Sequence, residues 1–327
     1  MIKNEWYAVL SSNELKKNEL IGVKRLNMDL VFFRDKNKKV TCLLDMCSHR
    51  GAALSKGKVL DNCNIQCPFH GLEFNNNGEC KFIPANGINN QGDLERYNVK
   101  FFKVKERHGI IYIWYGDNKD STTEIPFHNE IDTSFVFSEF KDHWKTHYSR
   151  AIENQLDVVH LPFVHHNTIG SGGKTLVNGP KVIVSDEDKT ILTSANNEVD
   201  KGQERHGPKE SEIRSTFLKF KFPNIWINNI TDKIKVLIFF VPVDDENTIL
   251  YLRFYNKITG VKIIDKFIGF FGKIANFIIE RQDKRVVETQ RPKASSLKSR
   301  ENLVMGDRPI VEYRKMRDTL QNKSKEN

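Results

Sequence analysis

The sequence predicts an α+β protein of two domains: a small antiparallel β domain over residues 1–116, then an antiparallel sheet with a long C-terminal helix over residues 117–327. Three observations carry this expectation. Short β-like runs punctuated by Gly and Asn crowd the first third, a polar, turn-rich stretch follows at residues 116–126, and apolar residues recur at helical spacing after residue 261. At 327 residues the chain is long enough for two cores of ordinary size.

In the first domain, residues 30–33, 40–44, 99–104 and 109–115 are rich in β-branched and aromatic side chains and read as strands. From residue 135 to 169 the pattern turns helical and rich in histidine. Residues 224–228, 235–241 and 249–255 read as strands of a second sheet. Between residues 261 and 288, Ile264, Phe267, Ile268, Phe271, Ile274, Ala275 and Ile278 fall at helical intervals, which predicts an amphipathic helix. Its apolar face is expected to pack on that sheet. Lys262, Lys266 and Lys273 on its polar side also suit a membrane-surface helix, but burial within the domain is the favoured reading. The polar tail after Tyr313 is expected to fray.

The formal charge of +9 is spread as lysine over the whole length, which describes a solvated surface or a docking face for an acidic redox partner. It does not form a nucleic-acid footprint. The first seven residues lack the apolar core of a signal peptide, and no uncharged stretch is long enough to span a bilayer, so a cytoplasmic protein is expected. Five cysteines, Cys42, Cys47, Cys63, Cys67 and Cys80, form an odd set. Two stand beside histidines at ligand spacing, which favours metal over disulfides.

Those two pairs are Cys47-Ser48-His49 and Cys67-Pro68-Phe69-His70, with 17 residues between them. Each offers one soft thiolate and one imidazole, the donor set of a [2Fe–2S] centre in which two thiolates hold one iron and two imidazoles the other. Gly51 and Gly71 would let both loops approach the cluster closely. A structural zinc site uses the same residue types, but zinc fingers usually segregate the cysteines from the histidines, whereas each loop here mixes them.

Cys47-Ser48-His49-Arg50-Gly51 and Cys67-Pro68-Phe69-His70-Gly71-Leu72 resemble the Rieske motif of ring-hydroxylating oxygenases. The extra loop cysteines of cytochrome bc Rieske subunits are missing, which points to the oxygenase branch. Cys42, Cys63 and Cys80 are then expected to be small core residues. The resemblance extends over nearly the whole chain. It implies a Rieske domain followed by a helix-grip catalytic domain, most similar to vanillate and dicamba demethylases and pheophorbide oxygenase.

In that family the spacing of Asp157, His160 and His165 supplies two imidazoles to a mononuclear iron, and two histidines with one carboxylate leave positions open for O2. Residues five apart do not share a helical face, so the backbone must deviate, and Pro162 is the expected place for a helix to end or bend. His143, His147 and His166 are competitors. The resemblance assigns the carboxylate to Asp283, with Glu280 and Glu288 as alternates. It makes Asp157 a positioning acceptor for His160 and, across a subunit boundary, for the residue matching His70; Asn154 matches a polar neighbour of the iron.

The implied chemistry draws electrons from NAD(P)H through a separate reductase, with or without a ferredoxin, and hydroxylates, dihydroxylates or oxidatively dealkylates a small apolar substrate. Residues 170–173 (GSGG) follow a histidine-rich helical stretch and read as a loop, not a nucleotide fingerprint, so the reductase must be another protein. A homotrimer is expected, because one subunit's cluster then faces the next subunit's iron. Phe239, Phe240, Trp226 and the Phe-rich helix face are candidates for a pocket lining. Two other readings remain: a Rieske electron carrier without oxygenase activity, and a zinc-stabilised binding module.

Overall fold

The computed structural model describes residues 1–117 and 124–326; residues 118–123 of the expected linker lie outside the described residues. The chain divides into two compact units, Lys3–Ile125 and Pro126–Asn327. The fold is α+β, as the sequence predicts.

The first unit holds β1 (Glu5–Ser11), β2 (Glu19–Arg25), β3 (Met28–Arg34), β4 (Val40–Leu44), β5 (Lys58–Val59), β6 (Ile65–Gln66), β7 (Glu73–Phe74), β8 (Cys80–Phe82), β9 (Phe101–Phe102), β10 (Val104–Arg107) and β11 (Ile110–Tyr115). They form three antiparallel sheets, ordered β1-β11-β10, β2-β3-β4-β9 and β5-β6-β7-β8. All seven residues of β1 are buried, so it carries no polar alternation for the eye to catch. Its register sets Trp6 against Trp114, edge to face at 5.5 Å. Phe33, Leu43, Leu54, Ile65 and Phe74 close a core that also contains Cys47 and Cys67.

The second unit runs β12 (Val136–Trp144), α1 (Tyr148–Leu156), α2 (Leu161–Val164), β13 (Leu176–Ser185), β14 (Thr190–Glu198), β15 (Phe217–Lys221), β16 (Ile225–Thr231), β17 (Ile234–Pro242), β18 (Thr248–Asn256), α3 (Lys262–Val287) and α4 (Arg308–Glu326). Its strands make one antiparallel sheet in the order β12-β18-β17-β16-β15-β14-β13. The helical reading of residues 135–169 fails over Val136–Trp144, which pairs along its whole length with β18. Within the sheet, the buried Arg253 ion-pairs with Glu139 at 2.6 Å and lies over the rings of Phe137 and Phe239.

Helix α3 covers the predicted span but presents the opposite face to the sheet. Asp265, Gly269, Glu280, Asp283 and Val287 are its buried residues, while Phe267, Phe271, Ile274 and Ile278, expected to pack, are 43–66% exposed. Of the expected set only Ile268 is half-buried. Periodicity marks an apolar stripe but not which side meets a neighbour. Here that side is fixed by close approach and hydrogen bonds. A Cβ on Gly272 would fall 2.4 Å from the Phe254 ring, so glycine lets the helix lie against β18. The Asp265 carboxylate accepts from Thr259 and Gly260 backbone N–H groups.

The tail after Tyr313 does not fray: α4 docks through Ile310, Tyr313 and Met316. Arg314 and Arg317 are buried with them. Arg314 donates to both oxygens of Glu153 on α1, at 2.8 and 2.9 Å. Arg150 pairs with Glu153 and Glu301, and Arg314 also meets Glu301, which closes a four-residue network around α1. Such bidentate pairs can seat a polar-looking helix against a core.

Candidate metal centres

The two cysteine loops share one backbone pattern. Cys47 N–H donates to Ala52 C=O and Gly51 N–H to Cys47 C=O; Cys67 N–H donates to Leu72 C=O and Gly71 N–H to Cys67 C=O, all between 2.8 and 3.1 Å. Gly51 and Gly71 sit at φ of +73° and +76°, where a side chain is strained, so glycine is what lets each loop fold back. The pattern brings like to like: the Cys47 and Cys67 thiols are neighbours, and the His49 and His70 rings meet edge to face at 4.6 Å. The cysteines are 2% exposed, whereas both histidines lie at the surface.

Burial, opposed by a backbone hydrogen bond from His49 and reinforced by Cys67, pushes the Cys47 thiol up to about 11. A thiolate there therefore calls for a metal cation beside it. Among the described residues, His160, His165 and Asp283 are the group of three or more His, Cys, Asp or Glu donors that closes within 4.8 Å. The Cys/His quartet does not converge on one point, as the ligands of a single zinc would; its pairing by type fits a two-metal cluster.

Of the remaining cysteines, Cys42 and Cys80 are core residues. Cys63 is not: it is a half-buried turn residue at φ +68°, whose sulfur accepts from Asn37 Nδ2 at 3.5 Å.

The second site begins where α1 stops. The backbone turns extended at Asp157 (φ −73°, ψ 129°), and the Asp157 Oδ1 accepts from the N–H groups of Val159 and His160 at 2.6 and 3.2 Å. The break thus precedes His160, made by an aspartate caught in its own turn, and not at Pro162 as expected. Pro162 instead sits in the first turn of α2, where its missing N–H costs nothing. His160 and His165 cap the two ends of that one-turn helix, which turns both rings toward α3.

There they meet Asp283. His160 Nε2 and His165 Nε2 are 3.3 Å apart, and Asp283 Oδ1 lies 3.4 and 3.0 Å from them. Donors about 2.1 Å from a shared ion stand roughly 3.0–3.4 Å apart, between right-angle and tetrahedral spacing, so the triangle fits one cation. The electrostatics agree. Burial pulls the His160 imidazole down, but Asp157 and Asp283 outweigh it and hold it up at about 9. Burial pushes Asp283 up, yet His160 and His165 keep it at about 2. Two carboxylates here favour a positive charge, which a divalent ion would supply.

The alternates point elsewhere. Glu280 receives the Trp144 indole N–H, and Glu288 accepts from the Lys145 backbone N–H at 2.7 Å. His143 bonds Asn247, His147 caps α1, and His166 is an exposed residue on the Phe163 carbonyl. Asp157 Oδ2 lies 3.7 Å from His160 Nδ1, beside the ring but beyond a full hydrogen bond.

Gln282 gave no signal in the sequence beyond adjoining Asp283. Its Oε1 lies 2.8 Å from His165 Nδ1 and accepts from Thr168 Oγ1, while its Nε2 donates to Asn167. Gln155 donates to the other oxygen of Asp283 at 3.3 Å. A cavity of about 360 Å3 opens beside the triad, walled by Val158, Leu161, Ile238, Leu252 and Ile279 among others. Trp226 lines it; Phe239 and Phe240, offered by the sequence, are fully buried core, and the Phe-rich face of α3 points outward. Seven buried polar atoms of cavity residues make no hydrogen bond within the protein: His160 Nδ1, Asp283 Oδ1 and Glu280 Oε2 at the triad's end, and Asn154 Nδ2, Thr193 Oγ1, Trp226 Nε1 and Asn228 Oδ1 elsewhere.

Residues 5–98 match the family of the Rieske [2Fe-2S] domain, and residues 144–323 match the vanillate O-demethylase oxygenase C-terminal domain. The chain is 34% identical over 166 residues to the oxygenase component of dicamba O-demethylase from Stenotrophomonas maltophilia, which covers 50% of this chain and 48% of that protein. It is 31% identical over 171 residues to chlorophyllide a oxygenase of Chlamydomonas reinhardtii, 52% of this chain and 26% of that one. The chain therefore spans about half the length, or less, of these curated relatives. The crystal structure of dicamba monooxygenase bound to dicamba superposes with a TM-score of 0.77 over 100% of this chain and 99% of that one, at 21% identity, which speaks to the fold. The chain belongs to the vanillate O-demethylase oxygenase C-terminal domain family, with a Rieske [2Fe-2S] domain at its N-terminal side.

Proposed function

We propose that this chain is the terminal oxygenase of a multicomponent system that takes electrons from NAD(P)H through a separate reductase, with or without a ferredoxin, and acts in the cytoplasm. Cys47, His49, Cys67 and His70 hold the [2Fe–2S] cluster, and His160, His165 and Asp283 hold a mononuclear Fe(II). When bound, the cluster supplies single electrons and the iron activates O2 for hydroxylation, dihydroxylation or oxidative dealkylation of a substrate beside it. The observation that carries this reading is the triangle of donors 3.0–3.4 Å apart at the wall of a roughly 360 Å3 cavity. Relatives named as dicamba and vanillate O-demethylases put oxidative demethylation among the reactions.

The chain's own residues bind and orient. Gln282 holds the His165 ring so that Nε2 faces Asp283, and the Asp157 carboxylate flanks the His160 ring at 3.7 Å on its other side. The cavity admits a small, mostly apolar molecule. Four of its unpaired groups, a Trp226 N–H, an Asn228 carbonyl, a Thr193 hydroxyl and an Asn154 amide, offer both donors and acceptors to a polar substituent on that molecule. Asp157 is also the residue through which one subunit would contact His70 of a neighbouring copy in a trimer.

Metal analysis of the purified chain tests the assignment: about three irons per chain support the oxygenase, about two support an electron carrier, and none supports a zinc module. Product analysis with a surrogate reductase and a panel of aromatic and cyclic substrates then reads the reaction. A monomer that keeps full NADH-coupled turnover would sink the trimer.

A further inference from the structure

Helix α3 carries Asp283 inward and an apolar stripe outward. Ile263, Phe267, Phe270, Phe271, Ile274 and Ile278 are 43–82% exposed, and no described segment of the second unit covers them. At 100° per residue the exposed apolar side chains of α3 occupy an arc of about 140°, and the stripe runs for roughly 24 Å along the axis. Such a continuous patch marks a contact surface.

Its charges say what it touches. The three acidic residues of α3, Asp265, Glu280 and Asp283, are buried, so every exposed charge on the helix is basic. Lys262, Lys266 and Lys273 run along one edge of the stripe, and Arg281 and Arg285 stand at its C-terminal end. Lys273 lies over the Phe270 ring at 5.1 Å and Arg281 over the Phe277 ring at 4.9 Å, stems along the apolar surface and heads at its margin. A second copy of the same face would set these cations against each other. A convex stripe of phenylalanine and isoleucine edged by lysine instead matches a helix lying in the surface of an anionic bilayer. The expectation that this helix avoids membranes rested on burial of its apolar side, and that burial is absent.

We propose that the outer face of α3 docks the protein on an anionic lipid surface, with the helix parallel to the membrane plane. No helix of the described residues is long and apolar enough to cross a membrane, so the attachment is peripheral and reversible. The proposal stands apart from the oxygenase reading, because its test does not read catalysis.

The test is flotation of the full chain with vesicles of phosphatidylcholine alone or mixed with phosphatidylglycerol. The protein is expected to float with the anionic vesicles and to be released by salt. Phe267→Ser/Phe271→Ser should cut the bound fraction about tenfold or more. Replacing Lys262, Lys266 and Lys273 by Gln should weaken binding to the anionic vesicles by about fivefold per lysine and leave binding to neutral vesicles unchanged. Ile183→Ser, at a position 51% exposed on β13, should float as the wild type does. An unchanged visible cluster spectrum shows that each variant is folded. Three results would overturn the proposal: wild type left in the bottom fraction at low salt, a serine variant that floats equally well, or an oligomer that the serine variant dissolves in light scattering. The last would assign the face to another protein surface.

Discussion

Replacing Gln282 by leucine removes the acceptor that fixes the His165 ring. In the structure the Gln282 Oε1 lies 2.8 Å from His165 Nδ1, and His165 is 2% exposed, so no water stands ready to take its place. A net hydrogen bond contributes about 0.5–1.5 kcal/mol, and leaving a buried N–H unpaired costs about 1–3 kcal/mol. The ring is then free to turn Nε2 away from Asp283. Metal affinity should fall about 10–100-fold, the usual effect of losing a partner behind a ligating histidine, or roughly 1.4–2.7 kcal/mol. The assay is anaerobic titration of Fe(II) or Co(II) into protein stripped of its mononuclear ion, with the cluster absorption as an internal control. Gln282→Glu keeps the acceptor and should bind within a few-fold of wild type. Leucine-variant affinity equal to that of the wild type would refute the argument that Gln282 sets the ring.

Three further predictions rest on other contacts. Burial and the adjacent Asp142 push the Glu280 carboxyl up to about 8, so the folded state keeps a proton that the unfolded chain loses near its ordinary value. That stability is present at acid pH, declines by roughly 1.4 kcal/mol per pH unit within the window at most, and is gone above about pH 8. Glu280→Gln should flatten this slope in urea melts between pH 5 and 8, and an unchanged slope would count against a protonated Glu280. Glu153→Gln leaves Glu301 as the one carboxylate paired with Arg150 and Arg314 among the described residues, and should cost about 3 kcal/mol by chemical denaturation, the low end for a broken buried pair; a loss under about 1 kcal/mol would show the network to be dispensable. Gly71→Ala places a side chain at φ +76° with its Cβ 2.9 Å from Pro84 Cγ, and should destabilise the loop by about 1–2 kcal/mol, seen as faster bleaching of the cluster.

The sequence disclosed chemistry better than orientation. Cysteine and histidine are scarce, so Cys47, His49, Cys67 and His70 stand out by composition and spacing alone. His160 and His165 do so as well, but the sequence points to Pro162, the visible breaker, whereas Asp157 makes the break ahead of His160 through a side chain that captures its own backbone. Asp283 was nameable only by resemblance, since on a helix with Glu280 and Glu288 nothing local separates one carboxylate from another. Gln282 was invisible for the same reason: a glutamine acquires its role from the histidine that folding brings to it. The α3 stripe shows the limit most plainly. Hydrophobic periodicity located the helix within a residue at each end and put the wrong side on the sheet, because Gly269, Gly272 and buried hydrogen bonds decide that contact.

With its glycines against β12 and β18, its carboxylate at the two histidines and its phenylalanines outside, α3 constrains which changes the gene can accept. Letters of the outer stripe can be exchanged one by one while Gln155 and Gln282, the side chains that bond Asp283 and His165, stay in place. Length is another matter. Inserting a single residue between Gly272 and Asp283 would turn everything beyond it by about 100° and advance it by about 1.5 Å, carrying the carboxylate out of reach of both imidazoles. Among the sequences that keep this chemistry, the ten positions between Gly272 and Asp283 should therefore never change in number, whatever their identities.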